Sequence, residues 1–167
     1  INTKNIFLRK TKPLVYAIKK SCKIKMNIVN QDVNEKGLRM ILNFGHTFAH
    51  AIEVKNNYSK NITHGEAVLS GIILATRLSV IKKVCKISIL KQIEDIYSEN
   101  NLSYTFKEFS KSRRIFELIP YLKNDKKNDD DKINFILLNK IGNVSKPNSF
   151  KLSINDLRKN CKSIAQF

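Results

Sequence analysis

The chain has 167 residues, of which 42% are hydrophobic and 27% charged, so it is long and apolar enough to bury the core of one domain. Its formal charge of +17 comes mostly from lysine, because only six of the 31 basic residues are arginine, and no basic run is interleaved with aromatic residues. This composition argues against a nucleic-acid-binding module, which would rely more on arginine, and leaves a basic surface that attracts small anions.

The three cysteines, Cys22, Cys85 and Cys161, are widely spaced, and no pair has the short spacing of a zinc ribbon or a disulfide framework. They indicate reduced thiols in a cytoplasmic protein, and no secretory signal is recognisable. The most apolar stretch, residues 67–81, is too short to span a bilayer comfortably and contains Arg77. It predicts a buried helix and no membrane partner.

The first predicted elements are helical. A helix is expected from about residue 14 to 22, after an interruption at Pro13, and residues 24–33 either extend it or run on less regularly. The spacing of apolar residues then predicts a single helix over residues 39–53, followed by a polar loop at 56–64.

Three more helices are predicted, at residues 65–83, 88–100 and 106–122, the last with Pro120 near its end. A charged turn at 124–132 separates them from the C-terminal part.

The C-terminal part is predicted to contain a strand at 133–138, a hairpin that uses Gly142, and a closing helix at 154–164 with Ser153 as its N-cap. The chain is thus predicted to be mainly α, with one small β element.

All the histidines of the chain lie within residues 46–64. On a single helix over residues 39–53, four polar side chains spaced by 4, 3 and 4 residues would fall inside an arc of about 60°. A cation, an amide and two imidazoles on one stripe suit an anionic, hydroxylated ligand or a metal ion. The four residues are Arg39, Asn43, His46 and His50.

The spacing alone leaves several interpretations open. His46 and His50 have the i, i+4 spacing of many zinc helices, and His64 is available as a third ligand, but the glutamate of the HExxH motif is missing. Two of the three are equally compatible with ordinary polar histidines. Gly45 would lie mid-helix, where glycine costs about 1 kcal/mol relative to alanine, and a close approach by another backbone or a ligand would explain it.

The stretch LRMILNFGHTFAHAIE, followed by THGEAV, resembles the central motif of the 3-dehydroquinate synthase family. This family belongs to the sugar-phosphate cyclases, within the superfamily of glycerol and iron-dependent alcohol dehydrogenases. The resemblance extends upstream through Lys25 and QDVNEKGLR and downstream through NDKKN and INFILLNKIG, and so covers about residues 20–145. The family usually has glycine at the position of Ala49, a change that affects only local packing.

The resemblance implies the helical C-terminal domain of the dehydroquinate synthase-like fold, with a small β-hairpin, as a single domain over residues 1–167. In the family a separate N-terminal domain binds NAD, and here the five glycines are isolated, so no glycine-rich phosphate loop is present. Because the first residue, Ile1, is not methionine, we expect a fragment or a processed product, and the resemblance implies that the NAD-binding domain is missing from it. We also expect a homodimer.

By the same resemblance, His46 and His64 bind zinc, or another divalent cation such as cobalt. The third ligand of the family is a glutamate from a segment before this chain begins, so we expect an incomplete metal site. His50 resembles a contact to the substrate phosphate and a partner in proton transfer, which replaces the three-histidine interpretation.

The remaining implied contacts are to the substrate. Arg39 resembles the residue that pairs with the substrate carboxylate, which suits a guanidinium group, and Asn43 resembles a phosphate contact. Lys25 resembles a lysine near the substrate carboxylate and hydroxyls, and Glu35 a carboxylate that organises water near the reacting carbons. In the NDKKN segment we favour Lys126 as a further phosphate contact.

The implied activity is that of a carbon–oxygen lyase of the shikimate pathway, which leads to aromatic amino acids. A small phosphorylated keto acid, 3-deoxy-D-arabino-heptulosonate 7-phosphate, becomes 3-dehydroquinate through transient oxidation by NAD, phosphate elimination, reduction and ring closure, with zinc polarising the oxidised hydroxyl. The fragment alone is expected to be inactive. Three alternatives stay open: another sugar-phosphate cyclase, a polyol dehydrogenase of the same superfamily, and a basic helical nucleic-acid-binding module.

Overall fold

A computed structural model describes residues 3–59, 61–102, 112–122 and 132–166. The described part is mainly helical with a few short strands, which confirms the predicted fold class. Contacts within the chain divide it into two compact units, residues 1–42 and 43–167. The prediction of a single domain stays a prediction.

The first unit contains two helices, α1 (Thr3–Phe7) and α2 (Thr11–Gln31), and neither has a buried residue. The prediction that Pro13 interrupts the helix is wrong, because Pro13 lies in the first turn of α2. There the backbone N–H that proline lacks would have no partner within the helix anyway. The stretch from residue 24 extends the helix, which was one of the two alternatives.

The single helix predicted over residues 39–53 is also wrong. Leu38–Asn43 forms a 3₁₀ helix, and a separate helix, α3, spans His46–Lys55. Gly45 separates them with a φ of 82°, in the left-handed region that residues other than glycine rarely adopt. Because a 3₁₀ helix has about three residues per turn and the chain turns at Gly45, the predicted polar stripe is not one helical face.

The described residues of the second unit continue with four helices and two antiparallel strand pairs. The helices are α4 (His64–Ile81), α5 (Ile87–Glu99), α6 (Ser112–Leu122) and α7 (Ile154–Ala165). The strand pairs are β1 (Lys132–Phe135) with β4 (Phe150–Ser153), and β2 (Leu138–Lys140) with β3 (Asn143–Val144).

These elements confirm most of the predictions for the second half of the chain. The predicted strand at 133–138 is divided between β1 and β2, and Gly142, with a φ of 78°, makes the β2–β3 hairpin. Ser153 caps α7 and exchanges hydrogen bonds with Asp156, as a capping residue should. The first part of the predicted helix at 106–122 and nearly all of the predicted charged turn lie outside the described residues.

α4 runs through the core: ten of its 18 residues are buried, and it contacts α3, α5, α7 and β2. By length and composition alone it would pass as a membrane span. Its burial within the fold confirms the predicted core helix. The buried Arg77 ties α4 to its neighbours, because its guanidinium donates to the carbonyl oxygen of Ile164 and to a carboxylate oxygen of Glu94, each at 3.0 Å.

α3 and α4 approach each other closely at two glycines. A Cβ atom added at Gly71 would lie 2.1 Å from the carbonyl oxygen of Gly45 and 3.0 Å from the backbone nitrogen of Ala49. A Cβ atom at Gly45 would lie 2.8 Å from the backbone nitrogen of Ile72. The expected close approach of another backbone at Gly45 is confirmed, although it occurs at the start of a helix and not in its middle.

We expect Gly71→Ala to destabilise the second unit by about 1–3 kcal/mol, the usual cost of overpacking, because the added methyl would overlap a backbone atom that cannot rotate away. Gly65→Ala is the matched control, since it makes the same change in the same helix where nothing lies within 4 Å of the added Cβ. Chemical denaturation followed by circular dichroism measures both free energies of unfolding. A Gly71→Ala chain as stable as the parent would contradict the close contact.

Candidate metal and substrate site

Three polar side chains follow one face of α3. His46, His50 and Glu53 are spaced by 4 and 3 residues, which places them above one another on a helix. The positions between them supply the buried residues of α3, among which Phe48 and Ile52 are at most 1% exposed. The apolar face therefore fixes how the polar face of α3 is presented.

His64 is the first residue of α4 and meets this polar face. Its ring centroid lies 5.6 Å from that of His46, and its Nδ1 atom lies 2.9 Å from Oε1 of Glu53. The preceding residue, Thr63, forms a capping box with Glu66 that fixes the first turn of α4. The end of the loop and the start of α4 therefore hold His64 against α3.

Both His46 and His64 have a hydrogen-bond acceptor at Nδ1. For His64 it is the carboxylate of Glu53, and for His46 it is the carbonyl oxygen of Phe44 at 3.3 Å. Because neither a carbonyl oxygen nor an ionised carboxylate can donate, the neutral ring that satisfies each contact has its proton on Nδ1 and its lone pair on Nε2. This is the arrangement in which metal-binding histidines are usually held.

The distance between these two rings fits one metal ion. Two imidazoles bound to a tetrahedral zinc at the usual bond lengths have centroids about 5 Å apart. Within the described ranges, no group of three or more histidine, cysteine or acidic residues could hold a metal. His46 and His64 therefore form a pair that would need a further ligand from elsewhere.

Burial lowers the pKa of His46. The hydrogen bond to Phe44 opposes this shift, while the neighbouring His50 and His64 lower the pKa further. The neutral imidazole, which is the form that binds metals, is favoured by these surroundings.

His50 has a different environment. Its ring lies 5.8 Å from that of His46 at an angle of 77°, but its side chain is exposed, and no described residue forms a hydrogen bond with it. Distance alone does not separate His50 from His64 as the second partner of His46. The hydrogen bonds separate them, because His64 has an acceptor at Nδ1 and His50 has none among the described residues. Both ring nitrogens of His50 are therefore open to a ligand.

Three of the predicted site residues lie in the first unit. Lys25 is exposed on α2, and Arg39 donates from Nη1 to the carbonyl oxygen of Val33 at 2.8 Å. Glu35 has a φ of 53°, a conformation uncommon for residues other than glycine. The histidines belong to the second unit, so the roles of these three residues stay predictions.

Asn43 ends the 3₁₀ helix and is partly buried at the start of the second unit. Lys126 lies outside the described residues. Their roles as phosphate contacts stay predictions.

Asp32, to which the sequence analysis assigned no role, organises the segment that carries Glu35 and Arg39. Its carboxylate accepts hydrogen bonds from the backbone N–H groups of Lys36 (2.9 Å), Gly37 (2.8 Å) and Arg39 (3.0 Å). These bonds, with that of Arg39 the strongest influence, hold the pKa of Asp32 below its usual value. An aspartate directly after a helix and ahead of a glycine-containing turn is a recognisable signal for such backbone hydrogen bonding.

Solved structures share this fold. Two crystal structures of 2-deoxy-scyllo-inosose synthase match with TM-scores of 0.66 and 0.63, at 24% and 21% sequence identity. The matches cover 85% and 83% of this chain and 38% and 36% of those chains. The first of those proteins was crystallised with carbaglucose-6-phosphate, NAD⁺ and Co²⁺. At these identities the likeness establishes the fold alone.

The sequence establishes the family. A family profile described as 3-dehydroquinate synthase C-terminal matches residues 2–128. The 3-dehydroquinate synthase of Pelagibacter ubique is 37% identical over 93% of this chain, and that of Dictyoglomus thermophilum is 43% identical over 86%. The chain therefore belongs to the 3-dehydroquinate synthase family and matches its C-terminal domain, which confirms the resemblance. It spans 41% and 39% of the length of these two relatives.

We expect Asp32→Ala to free the loop that carries Glu35 and Arg39, because three backbone N–H groups lose their acceptor together. Hydrogen exchange followed by NMR should show the amides of Lys36, Gly37 and Arg39 exchanging at least about tenfold faster. Asp95→Ala is the control, since that exposed aspartate of α5 has no such bonds. Unchanged exchange in the Asp32 variant would contradict the role of this carboxylate.

The same loop should respond to pH in a defined direction. The pKa of Asp32 is lowered in the folded chain, so the protection of these amides is complete above the unfolded value of about 3.9. The protection is lost as the pH falls through the lower pKa that Asp32 has in the folded chain. An increase in amide protection on acidification would contradict this prediction.

Proposed function

We propose that this chain is the metal- and substrate-binding part of a 3-dehydroquinate synthase. The single observation that supports this most is the pairing of His46 and His64, with each Nδ1 atom bonded to an acceptor and each Nε2 atom left for a metal. The family of the chain supports the reaction, but the chain spans only about two fifths of its relatives, so the whole activity is part of the proposal.

His46 and His64 would hold zinc, or another divalent cation such as cobalt, with a third ligand from outside the described residues. When bound, such an ion supplies Lewis acidity that binds and polarises the substrate hydroxyl to be oxidised. NAD would supply hydride transfer and would be bound mainly by a separate N-terminal domain.

The residues of the chain would bind and orient the substrate. His50, exposed and with both ring nitrogens open, would contact the phosphate and move a proton at the reacting carbons, together with Asn43 and Lys126 as phosphate contacts. Arg39 would pair with the carboxylate, and Lys25 would lie near that carboxylate and the hydroxyls.

Glu35 would organise water near the reacting carbons. The formal charge of +17 favours the approach of a substrate that carries both a phosphate and a carboxylate. Asp32 would support this role indirectly, because its bonds to the backbone hold the loop between α2 and the 3₁₀ helix.

The assignment of the histidines makes a specific prediction for metal binding. His46→Ala and His64→Ala should each weaken Co²⁺ binding by about a hundredfold or more, because each removes one of two inner ligands, whereas His50→Ala should change it by no more than about threefold. Titration of the 167-residue chain with Co²⁺, followed by the visible absorption of the bound ion, measures all three. Equal losses in all three variants would show that His50 is a ligand and that the assignment is wrong.

The reaction is tested in the full-length protein that carries this chain. It should convert 3-deoxy-D-arabino-heptulosonate 7-phosphate to 3-dehydroquinate with release of one phosphate, and His50→Ala should lower kcat by about 10²–10⁴, as expected for a lost proton-transfer group. The 167-residue chain alone should show no turnover.

The alternatives predict different results in the same assay. Another sugar-phosphate cyclase would release phosphate only from a different phosphorylated sugar, and a polyol dehydrogenase would reduce NAD without releasing phosphate. A nucleic-acid-binding module would show salt-sensitive nucleic-acid affinity that survives loss of His46 and His64.

A further inference from the structure

The carboxylate of Glu53 is placed against one ring only. Its side chain is 14% exposed, and its Oε1 atom lies 2.9 Å from Nδ1 of His64, whose own side chain is 58% exposed. Glu53 lies seven positions after His46, on the same face of α3. One helix therefore provides both a predicted metal ligand and a contact to the other ligand.

His64 needs such a contact more than His46 does. The ring of His46 is partly buried and bonded to the backbone of the turn before it, whereas His64 follows a loop and stands mostly in solvent. Among the described residues, the polar partner of the His64 ring is Glu53, and its nearest aromatic neighbour is the His46 ring. Without the carboxylate, the His64 ring would lose this polar contact and keep the ring of His46 as its aromatic neighbour.

We propose that Glu53 is a positioning residue that holds His64 with its proton on Nδ1 and its Nε2 lone pair available to the metal. A free neutral imidazole prefers the proton on Nε2, which would block the atom that has to bind the metal. An ionised carboxylate can only accept, so its contact with Nδ1 reverses that preference and fixes the ring orientation. The inference rests on the metal site of the proposed function.

A merely structural role for the contact makes a different prediction. A salt bridge between α3 and the start of α4 would add a little stability and would not depend on which ring nitrogen carries the proton. If Glu53 were itself a metal ligand, Glu53→Gln would lose metal affinity, because an amide is a much weaker ligand than a carboxylate. The same variant would still offer an oxygen to Nδ1 of His64. The state of the His64 ring and the affinity for metal separate these roles.

The experiment compares Glu53→Ala and Glu53→Gln with the matched control Glu99→Ala, which removes an exposed glutamate from the end of α5. The 167-residue chain has three histidines, so ring ¹⁵N NMR at pH 8 without metal resolves each tautomer, and His64→Ala identifies the signal of His64. Circular dichroism checks that each variant is folded. Co²⁺ titration of the same samples gives the affinity.

We expect His64 to carry its proton on Nδ1 in the parent chain and in Glu99→Ala, and on Nε2 in Glu53→Ala. The affinity for Co²⁺ should fall by about 10- to 100-fold in Glu53→Ala, by less in Glu53→Gln, and not in Glu99→Ala.

Three outcomes would overturn the inference. If folded Glu53→Ala kept the His64 tautomer and the Co²⁺ affinity of the parent chain, the contact would not position the ring. Equal loss of affinity in both Glu53 variants, with the Nδ1 proton kept in Glu53→Gln, would make Glu53 a direct ligand. A parent chain that binds no Co²⁺ would overturn the metal site itself, and this failure is distinct because the tautomer comparison needs no metal.

Discussion

The approach of Gly45 to Gly71 is the constraint on which the geometry of the histidines depends. Gly45 meets Gly71 at the start of α3, and Glu53 meets His64 near its end, so α3 and α4 run in opposite directions. Both contacts join the same two helices, so the spacing of the two backbones bears on both of them. A hydrogen bond of 2.9 Å tolerates a change of only a few tenths of an ångström, so one extra methyl group between the helices would affect the contact of Glu53 with His64.

The parts of the fold that were predicted correctly are those that local chemistry determines. The long apolar run became α4, and Ser153 became the cap of α7, because burial and capping both act within a few residues. The split of residues 39–53 was missed because counting apolar positions treats every residue as helical. A glycine inside a predicted helix signals a cost, but the apolar periodicity carries no information on the left-handed conformation that Gly45 adopts.

The pairing of strands was also beyond a local prediction. β1 pairs with β4, from Phe150 to Ser153, although the β2–β3 hairpin lies between them in the sequence. The side chain of Ser79, in α4, accepts a hydrogen bond from the backbone N–H of Leu138 at 2.9 Å and so attaches β2 to the helix. A contact between residues so far apart in the chain leaves no periodic trace in either segment.

The candidate site was predicted in its residue types more than in its arrangement. The pairing of His46 with His64 came from the family resemblance, because spacing alone paired His46 with His50 and offered His64 as a third ligand. Glu53 was overlooked although it continues the spacing of His46 and His50 by three residues. The sequence does not show its role, because the contact of Glu53 with Nδ1 of His64 joins two different helices.

The two histidine rings are held by different kinds of acceptor at Nδ1, a backbone carbonyl oxygen for His46 and a side-chain carboxylate for His64. His46 is bonded to the carbonyl oxygen of Phe44, in the turn that also contains Gly45, so its tautomer follows from the same turn that lets the helices approach. His64, at the start of its helix, is bonded to a carboxylate instead. That carboxylate also places a negative charge near two imidazoles in a strongly basic chain. In the proposed metal site, the same side chain would therefore orient His64 and offset part of the charge of the bound cation.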